Sequence, residues 1–406
     1  MNSLMPRRRI SVIGSVLACL LTCTAAGADA QTAAHLFDRD TVQEIRLSLN
    51  SRDLQHLREH YGEDTYYIAD FEWRSIRVRN VAIRSRGGAS RNPSKPALRV
   101  DFNRYTTGQR FLGMTALVLD NVWQDGSFVA ESTAFAFFER MGQAAPRTAF
   151  CRLFINNAYH GVYAIVESVN DDFIKRFFGK DVGYLFSYQY NGPYYGEYLG
   201  DNLAPYKRLF ETQTHELDAV TLIYSPIRNL FREINHADDA VWRDRAEEYF
   251  DLPQFVTHVA IEVFLAENDG VLGASGMNNF YLYRAAGSTR HRLFPWDKDS
   301  AFASPQFDLL TRADENVLFR RAMGYADLRA LYWEVLEACA RSAAADGWLE
   351  AEITRAATLI DASVRADTRK PFSSDEFDGA IALLQQFART RSDFVLQELD
   401  ELRRTP

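Results

Sequence analysis

Asp269, Asn279 and Asp297 carry oxygen-bearing side chains at the edges of a segment that reads as a strand, a turn and a returning strand. Met277-Asn278-Asn279-Phe280-Tyr281-Leu282-Tyr283 leads to a turn at Ala286-Gly287-Ser288. Arg290 to Phe294 then runs into Pro295-Trp296-Asp297-Lys298-Asp299. A hairpin of this length sets Asn279 and Asp297 near one rim, with Asp269 a loop away. Three such oxygens suit Mg²⁺, which takes carboxylate and amide oxygens while keeping waters and nucleotide phosphates. A carboxylate free of the metal can accept the proton of an attacking hydroxyl. Asp and Asn favour caps and turns equally well, so turn chemistry is the other reading of all three.

Two further segments join a structural punctuator to a charge. Arg86-Gly87-Gly88-Ala89-Ser90, with Lys95 beyond it, lies between two predicted strands. Adjacent glycines let backbone N–H groups approach a ligand, and a nearby lysine can neutralise phosphate oxygens. A Gly-Gly pair between strands is also simply a turn. Glu167 ends the apolar run Gly161-Val162-Tyr163-Ala164-Ile165-Val166 and precedes Asn170, Asp171 and Asp172. There it serves either to orient a phosphate-binding lysine, to help hold a metal, or only to solvate a strand end.

The elements that must position these groups fall into two sets. Ile76 and Val78 alternate with Arg77 and Arg79, and Leu98, Val100 and Phe102 alternate with Arg99 and Asp101, the period of half-buried strands. Leu117–Leu119, Phe150–Ile155 and Val162–Glu167 continue the series, the last two joined by a turn at Asn156-Asn157. A helix is expected over Ala130–Met141, stopped by Gly142. Gly183–Leu209 is rich in Tyr, Gly, Asn and Pro without a period, and reads as a long surface segment or lid. From Asp251, a good cap, helices dominate: to about Glu267, then Ala326–Ala345, Leu349–Arg369 and Phe377–Arg404. The expected fold is α+β, a strand-rich lobe over about 31–215 and a mainly helical lobe over about 216–406 that carries the hairpin.

The chain has 406 residues and a net charge of −8, with 47% hydrophobic and 25% charged residues. Those fractions exclude disordered and low-complexity classes, and the acidic balance offers no footprint for nucleic acid. Arg7-Arg8-Arg9, an apolar run from Ile10 to Leu21 and Ala28-Asp29-Ala30 read as a cleavable export signal over residues 1–30. The expected location is therefore secreted or periplasmic. Val16-Leu17-Ala18-Cys19 only loosely fits a lipoprotein site, because the apolar run continues past it. Beyond the signal only Cys151 and Cys339 remain, enough for one bridge and too few for a disulfide scaffold.

Taken together, Arg86-Gly87…Ser90…Lys95, Asn156…Gly161-Val162-Tyr163…Glu167, Asp269…Asn279-Phe280-Tyr281-Leu282-Tyr283 and Pro295-Trp296-Asp297-Lys298-Asp299 resemble the CotH kinase family. The likeness extends to Asp125-Gly126-Ser127 and to Phe387-Ala388-Arg389-Thr390-Arg391. It implies an atypical, two-lobed protein-kinase-like fold that transfers the γ-phosphoryl group of ATP, with Mg or Mn, to a hydroxyl. Protein Ser or Thr stands first among acceptors, beside a polyol or an envelope polymer. The resemblance further implies that Lys95 contacts phosphate with Glu167 as its acidic partner, and that Arg86, Gly87 and Ser90 line the nucleotide. Asp269 takes the catalytic place, Asn279 and Asp297 the metal, and Asp299 the place of a second acid. Gly88-Ala89, Glu131 where an Arg is common, and Pro96 directly after Lys95 depart from the family pattern.

Two rival readings belong to other classes. His56-Leu57-Arg58-Glu59-His60 fits the inverted zinc-peptidase pattern, though the segment is strongly polar. A catalytically inactive, kinase-like surface module of the cell envelope is the other, since a fold never guarantees activity. Retention of Lys95, Asp269, Asn279 and Asp297 speaks against it.

Overall fold

The computed structural model describes residues 31–179 and 182–404, so the expected export signal lies outside it. Seven strands close into a barrel: β1 (Gln43–Leu49), β2 (Tyr67–Trp73), β3 (Ile76–Ser85), β4 (Leu98–Asp101), β5 (Ala116–Asp120), β6 (Thr148–Ile155) and β7 (Ala158–Glu167). Their order is β1-β2-β3-β4-β5-β7-β6, and β1 closes on β6 in parallel. Alternation along β1 sends Ile45 and Leu47 inward, where Phe71, Trp73, Phe102 and Phe111 fill the barrel. Closure removes the free edges that an open sheet would expose. The Asn156-Asn157 turn forms as expected, both residues at positive φ (49° and 65°), the geometry that suits a two-residue hairpin.

Three short helices, α1 (Ala33–Leu36), α2 (Ser51–Glu59) and α4 (Asp171–Phe178), accompany the barrel strands in sequence, and α3 (Ala130–Arg140) joins the helical core. The second lobe is built on α5 (Ala204–Leu209), α6 (Val220–His236), α7 (Trp242–Glu247), α8 (Leu252–Phe264), α9 (Val317–Met323), α10 (Ala326–Ala344), α11 (Trp348–Arg365) and α12 (Ser374–Arg404). Helix α8 is buried on nearly every side, as its apolar composition requires, and packs on α10. Asp251 caps it by accepting from the Gln254 N–H.

The expected surface segment or lid over 183–209 is in part sheet and core. Tyr184–Tyr188 is β8 and Phe210–Thr212 is β9, and they join β10 (Phe280–Arg284) and β11 (His291–Pro295) in a sheet ordered β11-β10-β8-β9. Tyr188, Tyr194 and Tyr206 are buried, with Tyr188 stacked on Phe280 and Tyr206 on Phe231. Those three rings are core: Tyr194 and Tyr206 bury area while their hydroxyls reach partners, the Tyr188 hydroxyl has none among the described residues, and Tyr190 stays exposed. Tyr206, for example, donates to Gly200 O and accepts from the Leu199 N–H.

Arg391 of α12 is fully buried, and its guanidinium donates to four carbonyls. Val263 O and Phe264 O end α8, and Pro305 O and Phe307 O lie on the loop after Asp299. A cation is favoured at a helix C-terminus, where the last carbonyls lack partners. Cys151 and Cys339 are both free and buried, one in the barrel core and one on α10 in the helical core. No helix of the described residues is long and apolar enough to cross a membrane.

Candidate active site

Strands β10 and β11 pair antiparallel from Phe280↔Pro295 to Arg284↔His291. The rim expected from sequence therefore forms, and the Trp296 N–H donates to Asn279 O at 3.2 Å. Asn279 and Asp297 both sit at positive φ (57° and 48°), a conformation that Asn and Asp tolerate better than most side chains. Asp269 lies on the loop after α8, where its own N–H donates to Glu267 Oε1 at 2.8 Å. Its Oδ2 accepts from Asn278 Nδ2 at 3.0 Å and Asn279 Nδ2 at 2.9 Å. Two amides thus fix the direction of one carboxylate, and Asn279 turns its remaining amide oxygen elsewhere.

Carboxylates crowd around this rim. Asp120 ends β5, and Glu131 stands in the first turn of α3, buried with Asp297 and Asp299 in its field. Burial first, then the charge of Asp120, pushes Asp297 up to about 6. Burial and then Asp297 push Asp299 up to about 9. Burial, then Asp120, Asp297 and Asp299, hold Glu131 well above its ordinary range. Glu267 is raised to about 7, chiefly by burial. Facing them, Arg86 follows β3, pairs with Asp120 at 3.2 Å and lies over the Trp296 ring at 5.3 Å. Asp125 serves as a cap: its carboxylate accepts from the Ser127 N–H and hydroxyl and from the Ala130 N–H that opens α3.

The glycine-rich loop is pinned from below. Asn121 Nδ2 donates to Ser90 O at 2.9 Å and Lys95 O at 2.7 Å. Gly87 has φ of 102°, and a Cβ there would meet Ser90 Oγ at 2.4 Å, so only glycine fits. Lys95 itself turns inward. It has no exposed surface, its Nζ stands 2.8 Å from Asp367 Oδ2, and it lies over the Phe128 and Tyr163 rings.

The expected Lys95–Glu167 pair is therefore corrected. Glu167 is held by Arg147 at 2.8 Å and Arg176 at 2.6 Å. Lys95 meets β7 near Tyr163, four residues before Glu167, and about 13 Å of strand separates the two places. Gly161 makes room for the true partner, since a Cβ there would lie 2.2 Å from Asp367 Oδ2. Lys95→Met should leave a buried carboxylate unpaired and lower stability by about 3–5 kcal/mol. Urea unfolding checks this, and an unchanged midpoint would mean that the Lys95–Asp367 pair does not stabilise the fold.

Sequence reasoning missed Asp120 as a member of the site and gave no role to Lys298, which is buried beneath the rim. Asp120 had a signal, being a charge that closes an apolar strand just as Glu167 does. Nothing local marks Lys298. The His56–His60 rings stack at 4.1 Å, but their Nδ1 atoms face the Tyr67 hydroxyl and Glu63. Among the described residues no three His, Cys, Asp or Glu side chains form a ready metal cage, at this helix or elsewhere. Mg²⁺ needs only one or two protein carboxylates, and the Asp297–Asp299 pair, crowded by other acids, fits that demand.

A carboxyl with a raised folded pKa holds its proton more tightly folded than unfolded. Its contribution to stability is greatest at low pH and is lost as pH rises through about 6 for Asp297 and about 9 for Asp299. In EDTA the thermal midpoint should thus fall between about pH 5 and about pH 8, and Mg²⁺ should raise it more at the higher pH, where protons no longer compete. A larger Mg²⁺ effect at acid pH would exclude these carboxylates as its ligands.

A family model described as CotH kinase protein matches residues 83–395, most of the chain and the whole of the site. Inner spore coat protein H of Bacillus subtilis (strain 168) is 22% identical over 369 residues, covering 88% of this chain and 97% of that protein. The crystal structure of a Helicobacter pylori proinflammatory kinase, CtkA, is similar at 12% identity and a TM-score of 0.30, over 76% of this chain and 95% of that one. By the family match, this chain belongs to the CotH kinase protein family.

Proposed function

We propose that this protein is an exported phosphotransferase that moves the γ-phosphoryl group of ATP to a hydroxyl, with Ser or Thr of a protein as the first candidate acceptor. One observation carries the reading: Asp269, aimed by two amides, shares a rim with the crowded pair Asp297 and Asp299, and the charge of Arg86 acts on Asp297. Phosphoryl transfer passes through a loose transition state, so positioning and charge stabilisation do most of the work. Asp297 and Asp299, with the Asn279 amide oxygen, would hold Mg²⁺ or Mn²⁺, which when bound neutralises phosphate charge. Arg86 steadies the phosphate oxygens, a role that the buried Lys95 leaves open. Asp269 orients the acceptor hydroxyl and takes its proton as the new P–O bond forms.

Export is part of the proposal and rests on residues 1–30. The test is incubation of residues 31–406 with γ-labelled ATP, Mg²⁺ or Mn²⁺ and an envelope extract, beside the Asp297→Ala variant. Label transferred by the wild type alone is expected. Equal labelling by both would overturn the site, and none by either would leave the inactive surface module.

A further inference from the structure

Beneath the rim lies a buried network that no step above uses. His258 and Glu262 stand one turn apart on α8, and Lys298 lies between the two acids of the returning turn. All three side chains are essentially without exposed surface. Glu262 Oε1 receives Lys298 Nζ at 2.7 Å and lies 3.2 Å from His258 Nε2. Its Oε2 accepts from the Val271 N–H at 2.8 Å. Lys298 makes a second bond, donating to Asn279 O at 2.8 Å. The loop backbone is drawn hard against the same carboxylate: a Cβ on Gly270 would lie 2.5 Å from Glu262 Oε2.

Glu262 therefore touches both halves of the site. Through Val271 and Gly270 it holds the loop that bears Asp269, and through Lys298 it holds the turn that bears Asp297 and Asp299. Lys298 also ties that turn to Asn279, whose amide binds Asp269. We propose that Glu262 and Lys298 are positioning residues that set the spacing between Asp269 and the Asp297–Asp299 pair, and so align acceptor with phosphate. The inference rests on the phosphotransfer reading. Ionic character is unnecessary for packing alone, because well-packed apolar residues often replace a buried ion pair without loss of stability. Its value here is direction: charged bonds of fixed length join two loops that apolar contact would leave free to slide.

The experiment compares wild type with Glu262→Met/Lys298→Met, which removes both charges together, and with Gly270→Ala, which keeps every charge and pushes the loop off the carboxylate. Misplacing reacting groups by about 1 Å costs about 100-fold in rate, so both variants should lose about 100-fold in kcat. KM for ATP should stay within about twofold, since neither residue touches the nucleotide. If the double variant does not fold, Gly270→Ala decides alone. Wild-type kcat in a folded variant, or a defect confined to KM, overturns the inference while the kinase reading stands. A wild type that transfers no phosphate overturns both.

Discussion

Asp297→Ala should abolish metal-dependent ATP turnover, with kcat falling by at least about 1,000-fold, or about 4 kcal/mol of transition-state stabilisation. The reason is charge at a crowded place. Asp297 is the acid that burial and Asp120 raise to about 6, and after burial it is the chief charge that raises Asp299 to about 9. Deleting it takes away an anionic ligand and relieves its neighbours. Because Asp297 sits at φ of 48°, alanine there also strains the backbone. Asp297→Asn separates the two effects, since Asn tolerates that conformation and lacks only the charge. Both variants should be inactive, and Asn should melt higher than wild type in EDTA because one repulsive charge is gone. Turnover restored by Asn would mean that shape, not ligation, was lost.

Asp269→Asn should behave differently. The substitution is isosteric, and its amide oxygen can still accept from Asn278 or Asn279, so the rim keeps its form. What disappears is the carboxylate proposed to take the acceptor's proton. A positioned base is worth about 100- to 10,000-fold, so kcat should fall within that range while the Kd for Mn²⁺ with ATP holds within about twofold. Single-turnover transfer beside equilibrium titration reads the two quantities separately. A variant that transfers normally once nucleotide is saturating would take the proton-accepting role away from Asp269.

What could be read from the chain divides along the range of the interactions. The hairpin from Phe280 to Pro295, the Asn156-Asn157 turn and the Asp251 cap are local, and residue type with spacing sets each. Helix α6 has a local pattern too, Ile223, Ile227, Leu230 and Ile234 recurring on one face, with Pro226 inside it. Tyr188 and Tyr206 look like parts of a surface segment only while their core partners Phe280 and Phe231 are unknown. Lys95 finds Asp367, and Glu167 finds Arg147 and Arg176, because the barrel and the lobe contact decide which ends meet. No short-range pattern encodes that. The acids Asp120, Glu131 and Asp297 likewise come from three separate elements and become neighbours only in the folded protein.

The grip of Arg391 has a temporal consequence. Its four carbonyl partners end α8 and lie in the stretch beyond Asp299, so both banks of the rim share one residue in the middle of the last helix. A chain emerging in order from ribosome or translocation channel has the barrel, the hairpin and every acid in hand before residue 391 appears. Until then those four carbonyls lack their cation, and the stretch beyond Asp299 is joined to the end of α8 by backbone bonds such as Phe302 N–H to Leu265 O and Ala303 N–H to Ala266 O. The last clamp on the rim thus closes late, and a polypeptide still in transit carries its acids without that clamp.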